Sequence, residues 1–285
     1  MQPPIVIVCG PTASGKSALA MRIAEECGGV IINADSRQLY RPLRILTARP
    51  TEAEMQRVPH ALYGMLEGDA PCSAGAWLQL ARMEIDWARA RGATPVVAGG
   101  TGLYLKALME GIADIPATPP QTRAAARADW EAMGSRAFHA RLAEIDPLLA
   151  SRLTPGDTQR NLRGYEVWMA TGKPLSWWQA QGKAAPYGRN DFEIVSVMPE
   201  RAELYARCNA RFDAMLAAGA LAEVKTVLES GLAPEAPVMN IIGVPELSAH
   251  LRGEHSLEEA AARARQATRN YAKRQLTWFR HQLPP

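Results

Sequence analysis

Gly10-Pro-Thr-Ala-Ser-Gly15-Lys16-Ser17 sets two glycines, a lysine and a hydroxyl at the spacing GxxxxGK[ST], with which a loop cradles phosphate oxygens. The glycines let backbone N–H groups approach the oxygens, and Lys16 supplies a point charge. Ser17 offers a hydroxyl to Mg²⁺, and a following helix turns its positive end toward the anion. Gly10, Pro11, Thr12, Ala13, Ser14, Gly15, Lys16 and Ser17 are therefore expected to hold a diphosphate or triphosphate. The spacing does not choose the reaction. A kinase would hold ATP there and a transferase a pyrophosphate leaving group, and both place negative charge on a phosphate oxygen.

These residues need elements to aim them. Ile5-Val-Ile-Val-Cys9 is a β-branched run entering the loop, and a helix is predicted from Ser17 onward. A second strand, Val30–Asn33, ends at Ala34-Asp35-Ser36, and a third, Thr94–Ala98, ends at Gly99-Gly100-Thr101; Trp77 to Ala90 between them has helical periodicity. Alternating strands and helices predict an α/β fold, a P-loop NTPase-like parallel sheet flanked by helices, with ligands at the carboxyl ends of its strands. The three loops should converge. The proline-rich Ile115–Pro120 introduces helical patterns to about Lys183, so 119–188 is expected to be an inserted all-helical subdomain, with 1–118 and 189–285 forming the catalytic core. Phe192–Val197 resumes as a strand, followed by helices over Arg201–Ser230 and Leu257 to about His281.

With the phosphate loop in place, Asp35-Ser-Arg-Gln-Leu-Tyr40 resembles a DSxQxY motif and Gly99-Gly-Thr-Gly-Leu-Tyr104 a GGTxLY motif. Together with Asp157-Thr-Gln-Arg-Asn-Leu-Arg163 and Ala267 to Arg280, they make the chain similar, along almost its whole length, to the bacterial tRNA dimethylallyltransferases (IPP transferases). The resemblance implies transfer of a dimethylallyl group from dimethylallyl pyrophosphate to N6 of the adenine immediately 3′ of the anticodon, in tRNAs reading U-initial codons. It implies Asp35 as general base on that amine, with Thr101, Arg123 and Lys16 as further catalytic residues. The chemistry is apt, because an exocyclic amine is a poor nucleophile that a carboxylate sharpens by accepting a proton. On residue type alone, Asp35 would be a strand-end turn, Thr101 a turn hydroxyl and Arg123 a solvated helix arginine. The resemblance also marks Asp35, Ser36, Arg37, Gln38, Thr101, Arg123, Gln159, Arg160, Asn161, Leu162, Arg163, Lys273, Arg274, Gln275 and Arg280 as tRNA contacts, with Gln38 a candidate to read the adenine edge. The target base would have to leave its stack. Two segments depart from the family pattern: Leu46-Thr-Ala-Arg49-Pro50 for GTAKP, and Ile242-Gly-Val244-Pro245-Glu246 for IGYxE.

From Ala260 onward the chain carries Arg263, Arg265, Arg269, Lys273, Arg274 and Arg280 and no acidic residue, so a basic surface is expected although the net charge is only +3. Arg265, Arg269, Lys273 and Arg280 would share one helix face, able to neutralise phosphates or merely solvated. No apolar run reaches membrane-spanning length, and Ile5–Cys9 runs into a glycine loop instead of a cleavage site, so a cytoplasmic protein, acting as a monomer, is expected. Cys9, Cys27, Cys72 and Cys208 lack zinc or disulfide spacing and are expected to be buried small hydrophobes. The five histidines have neither metal nor triad spacing, and Trp77, Trp87, Trp130, Trp168, Trp177 and Trp178 are expected to pack in the core or subdomain. The alternatives are a small-molecule kinase, an enzyme prenylating free adenine nucleotides, and a non-catalytic RNA-binding protein with a degenerate loop.

Overall fold

The computed structural model describes residues 2–182 and 185–282. Lys183, where the predicted helical stretch ends, lies outside them. The described residues divide into two units, 1–109 with 186–285, and 110–185.

The first unit is built on a five-stranded parallel sheet in the order β3-β2-β4-β1-β5: β1 Ile5–Cys9, β2 Val30–Asn33, β3 His60–Ala61, β4 Pro95–Gly99 and β5 Phe192–Ser196. β1, β2 and β4 are buried along their whole length, which explains their continuous apolar runs. Helices α1 Lys16–Cys27, α2 Glu52–Arg57, α3 Ala74–Ala90 and α4 Gly102–Glu110 follow successive strands and loops. α1 stops at Gly28, whose left-handed φ of 60° lets its N–H cap the Ala24 carbonyl.

The chain leaves this unit after α4 and returns at β5. Between them lie α5 Pro120–Ile145, bent at Gly134 (φ 74°), α6 Pro147–Ala150, α7 Thr158–Thr171 and α8 Leu175–Ala180. This second unit has its own core of Ala126, Phe138, Leu142, Ala150, Leu162 and Tyr165. After β5 come α9 Arg201–Ala217, α10 Ala220–Glu229, α11 Val244–Leu251 and α12 Leu257–Gln282. They pack with Tyr40, Leu43 and Leu46 into a core separate from the one beneath α1.

The short elements β3, α2, α4 and α11 escape the sequence reading, because two to nine residues give periodicity too little length to register. Two composition-based expectations are corrected. Cys9 and Cys208 are buried, but Cys27 is exposed and Cys72 half-buried. Trp77 is fully buried, whereas Trp87 and Trp177 are 47% and 40% exposed, Trp87 beneath the Arg91 guanidinium and Trp177 beneath the Lys173 ammonium. Their indoles cover cationic stems at the surface instead of filling a core.

Candidate active site

β1 ends in the phosphate loop. A side chain on Gly10 would set its Cβ 2.4 Å from the Val197 carbonyl oxygen, and Gly15 sits at φ 95°, so both glycines are structural necessities. Ala13 also holds a left-handed φ of 62°. The loop lines an open cleft made by Ala13, Ser14, Gly15, Lys16, Ser17, Ala48, Arg207 and Arg211. Burial pushes the Lys16 ammonium below the ordinary lysine range; Asp35 opposes that fall and Arg211 adds to it. Ser14 is buried in the loop with its hydroxyl unpartnered by the protein. A cleft of cations and an orphaned hydroxyl at a helix N-terminus fits an anion.

Arg207 and Arg211 were invisible to motif reasoning. They stand one turn apart on α9; Arg207 donates to the Ser14 carbonyl at 3.0 Å and Arg211 to the Thr12 hydroxyl at 2.5 Å. Arg211 lines both the phosphate cleft and the next one. A pair of arginines at i, i+4 is the only signal they leave in the sequence, and it is a common one.

β2 ends in the Asp35 turn, organised by the fully buried Asn33, also missed from sequence. Asn33 Oδ1 accepts from the Asp35 N–H, and Asn33 Nδ2 donates to the Asp35 and Leu62 carbonyls. Asp35 Oδ1 accepts from the Arg37 N–H at 3.0 Å, so Asp35 is the turn former that its residue type predicts and still presents a carboxylate to a cleft. Thr101, at the end of β4, accepts from the Ser36 N–H at 2.9 Å and donates its own N–H to the Ala34 carbonyl. The loops after β2 and β4 are thereby tied together. The Asp35 cleft is lined by polar Thr12, Arg37 and Arg211 and by apolar Leu46, Phe212, Met215, Ile241 and Ile242, with Tyr271 from α12. Arg37 stacks 4.0 Å above the Tyr271 ring, whose hydroxyl pKa burial pushes up to about 12.

The wall between the clefts is the loop 43–49. Glu223 of α10 accepts from the N–H groups of Arg44, Ile45 and Leu46, and the Gln38 side-chain amide donates to the Thr47 and Ala48 carbonyls at 3.0 and 2.7 Å. Gln38, expected to read a base, spends both amide protons on this wall. Leu46 packs where a Gly243 side chain would stand, so the two departures from the family pattern meet in space.

The residues expected to contact RNA divide between exposed side chains and ones engaged within the protein. Asn161 is buried and bonds to Thr154, Asp157 and His139, while Leu162 belongs to the second unit's core. Gln159 and Arg160 of the same turn are exposed. Arg163 is half-buried, donates to the Thr118 hydroxyl and neighbours Arg123 and Glu166. Arg123 itself is exposed on α5. On α12, Lys273, Arg274 and Arg280 are exposed, but Gln275 is buried, and Arg265 and Arg269 pair with Asp213 and Asn209 of α9. The α12 face turned to the site is Thr268, Tyr271, Gln275 and Trp278.

A parallel sheet whose first strand enters a cationic glycine loop, with a carboxylate after the second strand, defines a P-loop α/β protein built to act on a phosphorylated substrate. The family profile described as IPP transferase matches residues 38–282, and one described as Isopentenyl transferase matches 3–63. The chain is 56% identical over 280 residues to the tRNA dimethylallyltransferase of Rhodospirillum centenum, covering 98% of this chain and 89% of that protein. It is 52% identical over 279 residues to that of Nitrobacter hamburgensis, covering 98% and 88%. Among solved structures, the tRNA isopentenylpyrophosphate transferase of Bacillus halodurans superposes with TM-score 0.69 at 32% identity, over 99% of this chain and 88% of that one. A eukaryotic dimethylallyltransferase acting on tRNA gives TM-score 0.82 at 27% identity, over 97% and 70%. The chain belongs to the IPP transferase family.

Proposed function

We propose that this protein transfers the dimethylallyl group of dimethylallyl pyrophosphate to N6 of the adenine 3′ of the anticodon in tRNAs reading U-initial codons, releasing pyrophosphate. The observation that carries this reading is the meeting of two clefts at Arg211, one lined by the phosphate loop and the other by Asp35. Lys16, Arg211 and the loop amides receive the charge that develops on the leaving pyrophosphate. Asp35 takes a proton from the adenine amine as its nitrogen attacks the allylic carbon. The apolar wall of Leu46, Phe212, Met215 and Ile241 suits a hydrocarbon.

Ser17 would hold Mg²⁺ with the substrate's phosphate oxygens completing the site. Among the described residues no group of three or more His, Cys, Asp or Glu could hold a metal ion. The ion would supply charge neutralisation on the pyrophosphate. The second unit offers Gln159, Arg160, Arg163 and Arg123 to the anticodon stem-loop, and α12 separately offers the cations Lys273, Arg274 and Arg280. Among the described residues no helix is long and apolar enough to cross a membrane. A tRNA substrate supports a cytoplasmic enzyme, and we propose that it acts as a monomer.

The test incubates the protein and Mg²⁺ with labelled dimethylallyl pyrophosphate and an unmodified anticodon stem-loop, with labelled ATP and free AMP in parallel. Label in the RNA is expected. Label only on AMP, or phosphoryl transfer from ATP, would replace the proposal with one of the alternatives.

A further inference from the structure

The phosphate loop and the Asp35 turn stand beyond the ends of different strands, where sheet hydrogen bonds no longer set their spacing. One buried side chain spans them. Gln275 Oε1 accepts the Thr12 N–H at 2.8 Å, and Gln275 Nε2 donates to the Gly100 carbonyl at 2.7 Å. Thr12 lies in the phosphate loop; Gly100 precedes Thr101, which holds the Ser36 N–H and the Ala34 carbonyl on either side of Asp35. One path from phosphate loop to carboxylate therefore runs through an amide of α12.

The glycines of the β4 loop make room for it. A Cβ on Gly100 would stand 2.5 Å from Gln275 Nε2, and one on Gly102 would stand 2.4 Å from the Trp278 indole. Gly100 and Gly102 thus admit α12 side chains, a packing role distinct from phosphate binding. The Thr12 N–H, turned to Gln275, is not among the amides that face an anion.

We infer that Gln275 is a positioning residue of the proposed reaction, setting the separation between the pyrophosphate subsite and the proton-accepting carboxylate. The inference rests on the proposed prenyl transfer. Displacement of about 1 Å in such a separation lowers a rate by about 10²-fold without touching the reacting groups. Binding of either substrate alone uses one side of the clamp only.

Gln275→Met keeps the side chain's length and removes both hydrogen bonds. Gly100→Ala keeps Gln275 and sets a Cβ against its amide and, at 3.0 Å, against the Gly10 carbonyl of the phosphate loop. Both are compared with the wild-type protein in single-turnover prenylation of the stem-loop, alongside pyrophosphate and stem-loop dissociation constants and the thermal midpoint. The expected result is a turnover rate lowered roughly 10- to 100-fold in each variant, with both dissociation constants within about 2-fold of wild type. A Gln275→Met protein that folds and turns over within 2-fold of wild type would overturn the inference. So would loss of pyrophosphate binding in step with turnover, the mark of a merely structural role. If Gln275→Met does not fold, Gly100→Ala decides by the same criteria. Wild-type protein that leaves the RNA unlabelled would instead overturn the function on which the inference rests.

Discussion

Asp35 shows how one side chain serves geometry and chemistry together. Its Oδ1 holds the Arg37 N–H, and the turn so formed aims the carboxylate into the cleft. Asn can accept that same N–H, so Asp35→Asn preserves the turn and removes only the proton acceptor. Turnover should fall by about 10²-fold or more, the scale of general-base loss, with stem-loop affinity retained; equal rates in a single-turnover assay would remove Asp35 from the mechanism. Lys16 makes a pH-dependent prediction. Its folded pKa is lowered chiefly by burial, and a bound anion favours the protonated form, so pyrophosphate binding should take up protons and weaken as pH rises through that lowered pKa. In the window between the lowered value and the ordinary lysine one, the unfolded chain binds more protons. The Lys16 contribution to stability is therefore fully present above the unfolded value and lost as pH falls through the folded one. Calorimetric titration of pyrophosphate in buffers of different ionisation enthalpy, over a pH series running down from the ordinary lysine range, measures the proton uptake.

At the scale of elements, α12 divides its labour by face. Thr268, Tyr271, Gln275 and Trp278, three or four residues apart, turn inward, while Arg265 and Arg269 reach across to Asp213 and Asn209 of α9. Arg263 and the later cations Lys273, Arg274 and Arg280 remain exposed to a polyanion. Lys273→Ala should weaken stem-loop binding and reduce the slope of log affinity against log salt by about one, leaving pyrophosphate binding unchanged. An unaltered slope in a salt titration would mean that this face is only solvated. α10 acts through Glu223, whose carboxylate gathers three backbone N–H groups of the cleft wall. Charge-assisted bonds to fixed amides make a rigid partition from an irregular loop.

At the scale of the molecule, the second unit carries its own core, and Phe138 is fully buried at its centre against Tyr165. Phe138→Ala should cost about 3–5 kcal/mol, enough to open a small helical unit. Segment-resolved hydrogen exchange should show lost protection confined to 110–185, with pyrophosphate binding by the phosphate-loop unit intact. Protection lost equally in both units would show that they unfold as one.

What could be read from the amino-acid order by itself was local: the phosphate loop between a strand and a helix, the strands β1, β2, β4 and β5, the inserted helices and the candidate carboxylate. Each rests on a short pattern of backbone and side-chain chemistry that neighbouring residues impose on one another. Tertiary structure decided which atoms those patterns meet. It placed Arg207 and Arg211 on the phosphate loop, put Asn33 beneath the Asp35 turn, and made Gln38 and Gln275 fasteners of the site. An arginine, asparagine or glutamine carries the same donors and acceptors wherever it stands. Whether they face a ligand or another loop depends on what packing brings within hydrogen-bond distance, and the partners of Gln275 lie 263 and 175 residues away along the chain.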